Sequence, residues 1–101
     1  MKPKEISKII EKEINCDWSI SNAHNCDLKK CLVRPQKRLF IAFGNEIREL
    51  WLVLEEYPET KDGYKVVFDD KTMQFGLAQH NEPKDWFLGV QGNFLDAFKR
   101  M

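Results

Sequence analysis

The order of hydrophobic patterns along the chain predicts an α+β fold, a single antiparallel meander sheet of about five or six strands with an N-terminal and a C-terminal helix. Three observations carry this expectation. Ile6, Ile9, Ile10 and Ile14 recur at helical spacing near the start. Across residues 49–79, apolar or alternating runs are separated by turn residues, Pro58 and Asp62-Gly63 in one place and Asp70-Lys71 in the next. Phe94, Leu95, Phe98 and Met101 form a last apolar face behind Asn93, a residue that caps helices. The 101 residues allow one domain with one modest core, and no repeat, low-complexity run or linker divides them.

Residues 3–15 read as a helix whose isoleucines share one face, while Lys4, Glu5, Lys8, Glu11, Lys12 and Glu13 cover the other. Pro3 suits a first turn, where its missing N–H costs nothing, and Asn15 is the stop. Residues 16–27 are rich in Ser, Asn and Asp, which favour turns, and form an irregular loop with Trp18 and Ile20 as apolar anchors. Residues 28–33 and 38–43 read as two strands, with Pro35-Gln36 turning the chain between them and Gly44-Asn45 supplying the next turn. Residues 46–57 admit two readings. Ile47, Leu50, Trp51 and Leu54 lie at helical spacing, with Asn45 as a cap and Pro58 as a stop. A strand over 49–56, covered on both faces, accounts for all of the apolar run 50–54 and is the reading adopted.

Residues 64–69 alternate, with Tyr64, Val66 and Phe68 on one face. Residues 73–79 alternate again after the Asp70-Lys71 turn, with Met73, Phe75 and Leu77 inward. Gly76 and Ala78 leave the other face open to close approach by a backbone or a bulky side chain. A loop at 80–85 leads to a last strand at 86–90, and Asn93 caps a helix over 94–101 with Lys99 and Arg100 in its last turn.

Sixteen basic and sixteen acidic side chains leave no net field to gather nucleic acid or anionic lipid, so neither is an expected partner. No segment reaches the ~18 apolar residues of a membrane span, and the charged N-terminal stretch lacks the apolar run of a secretory signal. The expected location is therefore cytoplasmic, with Cys16, Cys26 and Cys31 as reduced thiols.

Four groupings carry possible chemistry. Cys16, His24, Cys26 and Cys31 are metal-ligand types, but they lack the two closely spaced pairs of a structural zinc site, and buried thiols commonly serve as small apolar filler. A metal protein or small hydrolase built on this cluster is one alternative. Glu55-Glu56 and Asp69-Asp70 are adjacent on strands and so diverge to opposite faces, which argues against a carboxylate pair. Lys29, Lys30, Arg34 and Arg38, with Lys37, make a basic stretch near Phe40 and Trp51, the raw material of an RNA-binding sheet and a second alternative, although the following segment is acidic. No glycine-rich phosphate loop occurs. Finally, Trp18, Trp51, Trp86, Phe40 and Phe87 exceed what one small core absorbs. A sheet face carrying Trp51, Val53, Val67, Ala78 and Phe87 is expected either to meet a partner or a second copy of the chain, or to lie under the loop that carries Trp18.

The segments LWLVLEEYPETKDGYKVVFDDKTMQFGLA and WFLGVQGNFLDAF, within residues 50–98, carry the pattern GYK-apolar-apolar-aromatic-D, then FGLA, then G-x-FL. In this the chain resembles small uncharacterised bacterial proteins, among them immunity proteins of polymorphic toxins. The resemblance implies a strand at 50–56 and a protein partner, and it implies no catalytic residue. The expected function is that of a non-enzymatic binding domain, immunity-like or regulatory, with no cofactor and no bound metal, acting through Trp18, Trp51, Trp86 and Phe87.

Overall fold

The computed structural model describes residues 1–101 and has the expected α+β order. Helix α1 (Pro3–Ile14) and one helical turn, α2 (Leu28–Cys31), precede strands β1 (Leu32–Ile41), β2 (Ile47–Glu55), β3 (Tyr64–Asp69), β4 (Gln74–Gln79) and β5 (Trp86–Gly92), and α3 (Phe94–Lys99) ends the chain. The five strands form one meander, each antiparallel to the next. No helix is long and apolar enough to cross a membrane.

Helix α1 behaves as its spacing requires. Ile6, Ile10 and Ile14 are buried, and Asn15 stops the helix in the left-handed region (φ 51°), its N–H donating to the Glu11 carbonyl at 2.9 Å. The next segment departs from expectation. Residues 28–31 wind into a helical turn because the Asp27 side chain accepts the Lys29 N–H at 3.0 Å and caps it. β1 then runs without a turn through Pro35, where two strands were expected. Pro35 sits inside the register shift between Leu32 and Gln36, where the ladder to β2 is interrupted, so its missing N–H breaks no rung. The reversal comes at Phe43–Asn45, with Gly44 (φ 77°) and Asn45 (φ 61°) supplying positive φ.

β2 is a strand, and all of the run 50–54 is buried because both sheet faces are covered. Trp51, Val53 and Leu54 join Val66, Phe68, Phe75 and Leu77 beneath α1 and α3, in the main core. Leu50 and Leu52 face the other way, into a smaller cluster with Phe40, Val67 and Ala78 that Phe87 and Val33 flank. The single second face expected from Trp51, Val53, Val67 and Ala78 is thus divided between two cores. The register shift between Leu52 and Leu54 interrupts strict alternation and lets Val53 and Leu54 share a side. Met73, expected inward, lies instead in the β3–β4 turn with φ 58° and is exposed.

The smaller cluster exists because the sheet curls until its first and last strands meet. An odd number of antiparallel strands leaves those two parallel, and they touch at one pair, Ile41 with Trp86. The Ile41 N–H donates to the Asp85 carbonyl at 2.9 Å. β5 carries two register shifts against β4, which bend it into the curl. Gly76 makes the bend possible: a Cβ there would stand 2.4 Å from the Gly89 carbonyl oxygen and 2.8 Å from the Phe87 ring. The close approach expected at Gly76 is therefore that of β5 itself. α3 is shorter than expected, ending at Lys99, and is capped by Asn93, which accepts the Asp96 N–H at 2.8 Å.

Candidate functional site

β5 has two edges. One pairs with β4 along its length, whereas the other meets β1 only at Trp86, so the backbone of residues 87–92 has no strand partner on that side. Unpaired strand edges are templates for another chain. This edge also lies where the exposed apolar side chains concentrate. Phe43, at the tip of the β1–β2 hairpin, is 101 % exposed, Trp86 is 47 % exposed, and Leu88 and Val90 are half-exposed. Phe43, Trp86, Phe87 and Leu88 line one shallow depression of about 350 Å³. Phe43, Phe87, Leu88 and Val90 line a second, of about 450 Å³, with Arg48 and Glu46. The two share Ala42, Phe43, Phe87 and Leu88 and so form one continuous patch. Its rim is charged: the Arg48 guanidinium stands 5.8 Å from the Phe87 ring centroid and pairs with Glu46 at 3.2 Å.

Of the aromatic residues singled out from the sequence, Trp86 and Phe87 belong to this patch. Trp51 does not. It is 7 % exposed, lies under the Lys37 ammonium at 5.4 Å, and donates its indole N–H to Asp70 at 3.0 Å. Trp18 is on the surface of the 16–27 loop and lines neither depression. That loop does not fold over the seam, since Ile20 packs on the main core and the Asn22 side chain donates to the Phe98 carbonyl at 2.8 Å. Phe43, Leu88 and Val90 were not singled out in the sequence. The available signal was a large aromatic residue directly before the Gly44-Asn45 turn, a place where a side chain has nothing to pack on.

The basic residues are strung out rather than gathered. Lys29 and Lys30 are exposed on α2, and Arg34 and Arg38 are exposed along β1, roughly 13 Å apart at ~3.3 Å per strand residue. Lys37 pairs with Glu49 across the β1–β2 ladder at 3.6 Å, and Phe40 is buried. The carboxylate neighbours separate as strand geometry requires. Glu56 accepts the Tyr64 N–H at 3.1 Å and bonds His24, Asp69 accepts the Lys71 N–H at 2.9 Å, and Asp70 holds Trp51.

His24, Cys26 and Cys31 come together beside Glu56, whereas Cys16 stays exposed at the end of α1. Burial pushes the Cys26 thiol up to about 11 and raises that of Cys31 as well. Such thiols stay protonated near neutrality, which suits them poorly to nucleophilic attack. No group of three or more His, Cys, Asp and Glu side chains is placed to hold a metal ion. Comparison of the chain with protein-family models, with curated proteins and with solved structures finds no match to any of them.

Proposed function

We propose that this protein is a binding domain that takes an extended segment of a partner polypeptide along the free edge of β5. The observation that carries this reading is the conjunction of that unpaired edge with the fully exposed Phe43 beside it. Backbone hydrogen bonds to residues 87–92 supply affinity, and Phe43, Trp86, Leu88 and Val90 supply apolar anchors for alternate side chains of the partner. Glu46 and Arg48 at the rim favour one charge pattern over others. No chemistry is required of the site, because occupying the partner's segment is the whole action. Inhibition of that partner, as the resemblance of residues 50–98 to immunity proteins implies, is the form we propose.

The test is recovery of partners from the source cells by wild-type protein and by the Phe43→Ser, Trp86→Ala and Trp18→Ala variants, followed by amide mapping with the recovered partner. The expected result is a partner retained by wild type and Trp18→Ala, reduced at least about tenfold with Phe43→Ser or Trp86→Ala, and protecting those amides of 87–92 that point away from β4. Equal recovery by all variants, or protection elsewhere, rejects the site. Concentration-dependent sedimentation that Phe43→Ser abolishes would identify the partner as a second copy of the chain.

A further inference from the structure

The Ile41–Trp86 pair divides the seam in two. On the far side from the apolar patch, β1 and the 80–85 loop diverge around a polar cleft of about 390 Å³. We propose that this cleft is a second, independent site, and that it binds a small zwitterion of the free amino-acid class.

Its floor is built by two residues paired in register, Glu55 of β2 and Lys65 of β3, whose side chains therefore project to the same face. Both are buried. Lys65 is engaged by the chain: its Nζ donates to Asp85 Oδ2 at 2.6 Å and to the Lys61 carbonyl at 2.9 Å. Glu55 is not. It is 4 % exposed and lines the cleft, yet its carboxylate has neither a hydrogen bond nor an ion pair with any group of the chain. No buried side-chain oxygen is both sealed from solvent and unpartnered, so this carboxylate opens into the cleft. A carboxylate sunk in a cleft with no partner from the chain takes its hydrogen bonds from whatever occupies the cleft, water or the donor of a ligand.

The surrounding charge says which kind. Arg38, Lys61 and Lys84 stand at the rim without carboxylate partners, and with Lys65 they make four cations against the three carboxylates of the lining. A simple cation is opposed by that excess. A simple anion satisfies the rim but is repelled by Glu55 and leaves it unpaired. A molecule with a primary ammonium and a carboxylate a few ångströms apart answers both, the ammonium donating to Glu55 and the carboxylate accepting from Arg38. The volume is at the lower end of the roughly 300–1,000 Å³ common for small-molecule sites.

The test is titration of the intact protein with each standard L-amino acid, with ethylamine, acetate and glycine betaine as partial mimics, followed by amide chemical shifts. The expected result is saturable shifts at Glu55, Lys65 and Asp85 with one or more amino acids and none with the three mimics. Glu55→Gln and Arg38→Ala should each weaken binding at least about tenfold, the size of one charge-assisted hydrogen bond. Arg38 is exposed, so its variant carries the test even if Glu55→Gln fails to fold. Absence of shifts with every amino acid, equal shifts with ethylamine or acetate alone, or undiminished binding by Arg38→Ala overturns the proposal. The Phe43→Ser variant should bind the amino acid unchanged, which separates this site from the partner-binding edge.

Discussion

Glu13 and Phe94 stand 81 residues apart in the chain, and the Glu13 carboxylate accepts the Phe94 backbone N–H at 3.1 Å. Its second oxygen accepts the Leu95 N–H, also at 3.1 Å. The first amides of a helix have no partner within it, and α3 is only six residues long, so it cannot rely on its own hydrogen bonds. A carboxylate at that end also meets the positive pole of the helix. The first helix of the chain thus caps the last, and the two close the main core from one side.

Glu13→Ala is accordingly expected to cost about 1–2 kcal/mol, and Glu13→Gln less, since the amide keeps one acceptor. Urea denaturation measures both. Glu11→Ala, on the exposed face of the same helix, is the control and should stay within about 0.5 kcal/mol of wild type. A Glu13 variant as stable as that control would show that the contact contributes nothing.

Gly76→Ala tests the curl of the sheet. The added methyl meets backbone rather than a flexible side-chain tip, so β5 must shift outward or the strand must strain. Overpacking of this kind costs about 1–3 kcal/mol. Hydrogen exchange should show the loss concentrated in the β4–β5 ladder, with β2 and β3 amides protected as before. Uniform loss across all strands would mean that β5 is not an independent part of the sheet.

The thiols give stability a dependence on alkaline pH. Well below pH 9 both Cys26 and Cys31 are protonated whether the chain is folded or not, and they contribute no slope. Above that value the unfolded chain releases their protons while burial holds them in the native state. The unfolded state then binds fewer protons, so stability falls as pH rises. For Cys26 the fall runs from about 9 to about 11. Denaturation midpoints across this range should decline in wild type and decline less in Cys26→Ala. At pH 8 in native buffer, alkylation should reach Cys16 well before the buried pair.

Much of the architecture was legible because local pattern and tertiary burial agree in it. The isoleucine stripe, the alternation of β3 and β4, and Asn93 ahead of its helix each point to one structure. The strand at β2 was legible only through length and the demand that Leu52 and Val53 be covered, since its spacing fits a helix equally well. Pro35 misled for a physical reason. Proline ends strands where a rung is required, and here a register shift had already removed the rung. The cap formed by Asp27 was likewise hidden among several Asn and Asp residues of similar propensity.

The site was less legible. Whether an aromatic residue is core or surface depends on which neighbour reaches it, and Trp51 was claimed by Asp70 across the β3–β4 turn. Phe43 and Trp86 are brought together by closure between strands 45 residues apart in the chain, a proximity that no local period encodes. The unpaired Glu55 is equally invisible in sequence, because its cross-strand neighbour Lys65 is taken by Asp85.

The single Ile41–Trp86 pair separates two properties that are usually tied together. Four antiparallel ladders, each set by its own connection, make the sheet, and none of them needs the ring to be closed. Closure joins β1 to β5 at that one pair, with the Ile41 N–H donating to the Asp85 carbonyl and Phe40, Val67, Ala78 and Phe87 clustered inside the ring. Ile41→Pro would delete that donor, leave every ladder's turn in place and loosen the ring at its join. In this molecule the topology belongs to the connections, the curvature to the irregular β4–β5 ladder, and the closing of the ring to one pair of residues.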